Sequence, residues 1–519
     1  VAVEFPAKAG IAAFCVFLSV RFLYILSGGI DRILTFVPDD AFYYFVSADN
    51  FVRLGQWTFD GGISRTTGFH LLHGYLLAAF SLLFHGVPGM AIVYFAIGLT
   101  FLCGLAGAVL IVRLVRGLFG DVAAVATLLP LLSYAYLLGS CSGMEWGAVL
   151  LAACLIFAAL HRLGDRPVRF SDGALLALLG LFLEVGRSDA GVLAGALFAG
   201  AILVGFVRPN RSFTIAAGLV LAGAVGGLAI TLIHSELVSG QLISGSARMK
   251  ALWSQRGGGF GPRAGYRLLL ITAGVPQNIY GARAVAVLAP LTVITAVVAR
   301  PFLAGWRAKL RNADLATLNL LAGSILALIA YWVVYGFNSA ATQFWYSSTI
   351  VAPVCVLFGG WAALVAQYGN RLARSAALVM WGGLIAYAVY AAFVPPWSYQ
   401  TYFRAAGLYA ARELPDQRIG CWNCGITGFF RDGPTVNLDG LMNDDVYPFV
   451  QADDLAGYIQ SRDIRYLLDF SQSVELPRTQ RRGGYDSPAF RAMLQPAQAL
   501  SPPQPSYQDS RMTLYKLDY

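Results

Sequence analysis

Runs of about 20 mostly apolar residues recur along this chain, each long enough to cross a hydrocarbon core of roughly 30 Å. They read at 11–30, 90–112, 122–139, 144–161, 173–186, 189–207, 213–233, 283–300, 316–336, 346–366 and 374–393. Inside lipid, backbone amides have no water to bond, so such runs must be helices that satisfy their own hydrogen bonds. The expected fold is therefore a polytopic α-helical membrane protein with about 11 transmembrane helices. A mean hydropathy of +0.62 and 57% hydrophobic residues agree with it. The first run has Lys8 before it and no small-residue cleavage pattern after it, which reads as a retained helix rather than a signal peptide.

Loop charges give the orientation. Arg113/Arg116, Arg162/Arg166/Arg169, Arg208/Arg211, Arg300/Arg307/Lys309/Arg311 and Arg371/Arg374 lie in short loops and are expected on the cytoplasmic side. They share one side only if a further apolar stretch, 68–84, does not cross. That stretch, with His70 and His73, is read as an external juxtamembrane or re-entrant helix. The N-terminus is then inside and the C-terminus outside. The external segments are 31–89, turns at 140–143 and 187–188, a long loop at 234–282, a turn at 337–345, and everything after 394. Positive-inside loops explain much of the net charge of +9, so no nucleic-acid partner is implied.

After Pro395-Pro396 the composition turns polar. Short apolar runs at Arg418-Ile-Gly-Cys-Trp, Thr435-Val-Asn-Leu and Arg465-Tyr-Leu-Leu-Asp read as strands, with helices at 402–412 and 453–461 between them. The chain thus divides into a transmembrane domain, 1–396, and an external soluble α/β domain, 397–519. In the latter, Cys421 and Cys424 are either a structural disulfide or two buried thiols.

Charged residues make up only 13% of the chain, so acids at a predicted membrane interface stand out. Asp39 and Asp40 open an amphipathic helix just after the first span. Asp39, after Pro38, is expected as its N-cap and Gly55 as its stop, with Asp49 and Arg53 paired one turn apart. One cap accounts for one aspartate, and the other is a candidate general base, with Asp40 narrowly preferred. The loop Arg65-Thr66-Thr67-Gly68-Phe69-His70 either meets a substrate or simply caps the next helix. Glu145 sits at the outer mouth of a span. Arg187 and Asp189 form an ion pair there, or Arg187 offers guanidinium donors to a phosphate. Arg248 and Lys250, in a small-residue loop, also suit a phosphate. Asn338 and Gln343-Phe344-Trp345-Tyr346 mark another part of the outer rim.

Several strings together resemble the GT-C superfamily of integral-membrane glycosyltransferases, including bacterial cell-wall arabinofuranosyltransferases. They are Asp39-Asp40-Ala41-Phe42-Tyr43-Tyr44, Thr67-Gly68-Phe69-His70, Gly143-Met144-Glu145, Arg187-Ser188-Asp189, Ser244-Gly245-Ser246, and Val436 to Asn443 in the tail. The resemblance implies a polyprenyl-phosphate sugar donor and chemistry on the outer face of a bacterial cytoplasmic membrane. The acceptor would be a cell-envelope glycan or glycoprotein. Asp40 or Asp39 would deprotonate the acceptor hydroxyl, and a single displacement would invert the anomeric carbon. Arg187, Arg248 and Lys250 would meet the leaving phosphate, with Asp189, Glu145, His70, Arg65 and Tyr43 also binding donor. Arabinofuranose is the sugar this likeness points to. Some relatives bind a divalent cation near the acidic motif, and Asp39, Asp40, Glu145 and the histidines are the residues it would use here. The competing readings are a lipid-linked sugar transporter or flippase, whose polar groups belong at the membrane midplane, and an O-antigen-type ligase.

Overall fold

The computed structural model describes residues 7–84, 89–164, 166–257, 261–273, 313–337, 343–475, 487–495, 498–504 and 510–519. Among these, seven helices are long and apolar enough to cross a membrane by length and composition. They include Met90–Phe119, Trp146–Leu163, Arg211–Ser239, Leu315–Phe337 and Val351–Tyr368. Phe170–Gly186 and Gly191–Val207 fall on two further expected spans. Each has 17 residues, which is about 25 Å of helix. The expected span at 283–300 lies outside the described residues, as does Asn338.

The expected span 122–139 is not one helix. It is three short pieces, Asp121–Ala126, Leu128–Leu131 and Tyr134–Gly139. Pro130 lacks the N–H a continuous helix would need, and the Ser133 side chain accepts the Tyr136 N–H to start the last piece afresh. The described residues of the loop expected at 234–282 are largely helical, with Gly245–Arg256 and Pro262–Thr272 after the long helix that ends at Ser239. Leu71–Leu83 has 13 residues, about 20 Å, too short to cross a bilayer. It packs on the helix Asp39–Leu54.

That helix does end at Gly55, whose φ of 71° is left-handed, and Asp49 and Arg53 do pair, at 3.5 Å. Its start differs from expectation. Pro38 is the N-cap and Asp39 is the first helical residue. The Asp39 carboxylate turns away from its own helix, because two backbone amides of the C-terminal region claim it.

The C-terminal region carries one five-stranded sheet, β1 (Ile419–Cys421), β2 (Thr435–Asn437), β3 (Tyr466–Phe470), β4 (Gln498–Ala499) and β5 (Met512–Lys516), in the order β2-β1-β3-β5-β4. The first three strands are parallel, and β5 runs antiparallel to both β3 and β4. Where the parallel strands end, Asp469 of β3 accepts the N–H groups of Trp422 at 2.8 Å and Asn423 at 3.0 Å. This bond shapes the turn leading into the helix Gly425–Arg431. Cys421 and Cys424, at the same turn, are joined in a disulfide.

Candidate active site

At one end of the helix bundle a cleft of about 290 Å³ opens between several parts of the chain. Thr67 to Leu71 form one edge, Glu184 to Asp189 the floor, Ser244 to Ala251 the opposite edge, and Val334, Phe337 and Tyr346 the back. The long helix Arg211–Ser239 adds Thr231, His234 and Ser235. These segments are far apart in sequence and meet here because their helices end at the same level.

The floor is a buried charge knot. Arg187 and Glu145 are each 1% exposed, and the Arg187 guanidinium donates to Glu145 Oε1 at 2.8 Å. Arg187 Nε lies 2.7 Å from Asp189 Oδ1, and the Tyr346 ring stacks under the guanidinium at 4.3 Å. Tyr44 donates its hydroxyl to Glu145 Oε2 at 3.1 Å, and Tyr335 donates to Asp189. A charge this deep is tolerable only when every partner is in place. Arg187 therefore sits among carboxylates that already neutralise it. His70 stands 3.7 Å from Glu145, and burial takes its pKa down to about 4 against the pull of that carboxylate, leaving the ring neutral near pH 7.

Above the knot stands Lys250, on the helix Gly245–Arg256. Burial alone would lower its pKa, but Tyr346, aided by Asp40, more than reverses this and keeps the ammonium charged. Asp40, on the helix Asp39–Leu54, is half-buried, and among the described residues it has no hydrogen bond and no ion pair within 4 Å. Burial raises its pKa to about 6, with Lys250 pulling it down and Glu145 pushing it up.

The other expected site residues lie elsewhere. Asp39 is 7% exposed and accepts the N–H groups of Gly425 at 3.1 Å and Ile426 at 2.7 Å. Tyr43 donates its hydroxyl to the Trp422 carbonyl at 2.9 Å and accepts the Cys424 N–H at 3.0 Å. Arg65 donates to the Val238 carbonyl, and Arg248 stacks on Tyr447 at 4.7 Å. The structure therefore gathers His70, Glu145, Arg187, Asp189 and Lys250, and Asp40 is close enough to feel the charges of Lys250 and Glu145. It does not bring Asp39, Tyr43, Arg65 or Arg248 to the cleft.

Sequence reading gave no role to Tyr44, quoted only as part of a longer string, and passed over Tyr335 and Glu184. Each sits inside an apolar run with no local signal except its polarity. Tyr346, expected only as part of the outer rim, stacks on Arg187.

The residues do not fit a divalent cation. Among the described residues no three His, Cys, Asp or Glu side chains converge closely enough to hold one. Asp39 is spent on backbone amides, and Glu145 on Arg187, so no step is routed through a metal.

ArnT from Cupriavidus metallidurans, in a crystal structure bound to undecaprenyl phosphate, superimposes with a TM-score of 0.53 at 12% identity, covering 99% of this chain and 98% of that one. The apo oligosaccharyltransferase of Archaeoglobus fulgidus superimposes with a TM-score of 0.50 at 12% identity, over 95% of this chain and 73% of that one. The chain has the GT-C fold. At this identity the likeness extends to the GT-C architecture and no further. The model of a family described as a domain of unknown function (DUF8728) matches residues 392–515, the part of the chain that carries the sheet. No curated protein matches the sequence.

Proposed function

We propose that this protein is a membrane glycosyltransferase. It moves one sugar from a polyprenyl-phosphate donor to a hydroxyl of a cell-envelope glycan or glycoprotein, on the outer face of a bacterial cytoplasmic membrane. One observation carries the reading: Asp40, a carboxylate without a partner among the described residues, lies within electrostatic reach of the ammonium of Lys250, which lines a cleft at one end of a helix bundle. A phosphate headgroup lies at that depth when its polyprenyl tail is in lipid. The GT-C fold supports the reaction class, and the sequence resemblance supports arabinofuranose as the sugar.

In this mechanism Asp40 takes the proton of the acceptor hydroxyl as its oxygen attacks the anomeric carbon. The bond from that carbon to the phosphate oxygen breaks with inversion, and polyprenyl phosphate leaves with the electron pair. Lys250 meets the charge that grows on the phosphate, an interaction stronger in the transition state than in the ground state. The buried knot of Glu145, Arg187 and Asp189 fixes the floor against which the headgroup rests. Both Asp39 carboxylate oxygens already accept backbone N–H groups of the C-terminal region, so we assign the base role to Asp40. We assign residues 1–396 to the catalytic membrane domain and 397–519 to an external domain.

The deciding experiment gives purified protein a panel of polyprenyl-phosphate sugars and follows transfer to a glycan acceptor. Consumption of donor by the wild type and not by Asp40→Asn supports the reading. Transport of lipid-linked sugar across liposomes without consumption of donor would replace it with a transporter.

A further inference from the structure

The two elements that carry Asp40 and Lys250 make few contacts with each other, yet both are fastened to the same third body. The helix Asp39–Leu54 is fastened by Asp39, whose two carboxylate oxygens each take a backbone N–H at the start of Gly425–Arg431. Tyr43, one turn further along, adds its hydroxyl to the ends of β1 and β2 through Trp422 and Asn437. In open parallel sheets the crevice beyond the carboxyl ends of the strands is where ligands settle. Here part of that region is filled by the membrane-side helix.

The second element, Gly245–Arg256, is fastened by Asp444. The Thr67 hydroxyl donates to Asp444 at 2.6 Å and accepts the Gly245 N–H at 2.9 Å, while the Asp444 N–H donates to the Arg65 carbonyl at 3.1 Å. Gly245 is needed there, since a Cβ would collide with the Asp444 carboxylate. One face of this helix then sinks Met249 and Trp253 into the apolar cluster of Val436, Leu438 and Val446, leaving Ser246 and Lys250 on the cleft side.

The geometry points to Asp39 and Asp444 as positioning residues through which the C-terminal region sets the separation of Asp40 and Lys250. The cleft is lined by residues 67–346, but the element that carries Lys250 is thus held in place by the sheet-bearing region. This rests on the roles proposed above for Asp40 and Lys250, but the distance measurement that tests it does not.

Spin labels carried by unnatural residues at the exposed positions 54 and 255 report the distance between the two elements and leave the native cysteines untouched. The full-length wild type should give one narrow distance distribution. Asp39→Asn, Asp444→Asn and Thr67→Val should broaden it, and Thr67→Ser, which keeps the hydroxyl, should restore it. Binding of undecaprenyl phosphate should weaken about tenfold in Asp444→Asn, the size expected for one buried hydrogen bond. Unchanged distributions in the variants would overturn the clamp. Broadening in a protein whose wild type binds no polyprenyl phosphate would leave the clamp standing and overturn the proposed donor.

Discussion

The Asp39 carboxylate and the Ile426 amide meet at 2.7 Å, across 387 residues of chain. This bond divides the labour of two adjacent aspartates. Asp39 is 7% exposed and directed into the C-terminal region, whereas its neighbour Asp40 has no hydrogen-bond or ion-pair partner among the described residues and feels the charge of Lys250.

The division predicts unequal mutants. Asp40→Asn removes the proposed base and should lower kcat by at least about 100-fold, the usual scale for losing general-base catalysis. Asp39→Asn keeps one acceptor oxygen and loses the other, so it should cost about 1–3 kcal/mol of stability and reduce kcat far less. Steady-state kinetics and thermal unfolding of the two variants in one detergent check this. Equal losses of kcat would return the base assignment to the pair.

Arg187 predicts a different signature. It is 1% exposed between Glu145 and Asp189, so Arg187→Met strands two acids in a buried site. The expected cost is about 3–5 kcal/mol. Glu145→Gln combined with Arg187→Met should be less destabilised than the sum of the single changes, since the pair then vanishes together. Additive losses in a double-mutant cycle by thermal unfolding would mean that the 2.8 Å contact carries no coupling.

The parts of this architecture readable from sequence are those governed by local pattern. Apolar periods located the long helices, and alternation with turn residues located β1, β2 and β3. Gly55 was readable as a stop because a helix end often needs a left-handed residue. The roles of Asp39, Tyr43 and Arg248 were not readable. Each is decided by a partner hundreds of residues away, and a carboxylate that caps a distant helix has the same local sequence as one that caps its own. The break at 126–134 was also hidden, since hydropathy does not register a lost backbone hydrogen bond at Pro130.

Orientation yields a prediction that avoids the site altogether. Asp432, with a side chain 92% exposed, belongs to the C-terminal region, and Arg166 is exposed in a loop at the opposite end of the bundle. In sealed cells a cysteine at 432 should react with an impermeant maleimide, and one at 166 should react only after lysis. The reverse pattern would move the cleft to the cytoplasmic face and exclude an external acceptor. His73 is a poor probe position, because its ring is only 2% exposed and bonds the Gly143 carbonyl.

The acid limb of the pH profile tests Asp40 and its two charged neighbours together. Burial raises the Asp40 pKa to about 6, so the carboxylate needed as base is lost as the pH falls through that value. The rate should drop about tenfold per pH unit below it. Lys250 holds the pKa down, so Lys250→Met should move the limb to higher pH and also lower the plateau, because the leaving phosphate loses its cation. Glu145 pushes the pKa up, so Glu145→Gln should move the limb to lower pH. The opposite signs are the informative result, since a merely damaged fold would lower the rate at every pH and leave the limb in place. If neither substitution moved the limb of kcat/KM, the titrating group would not be Asp40.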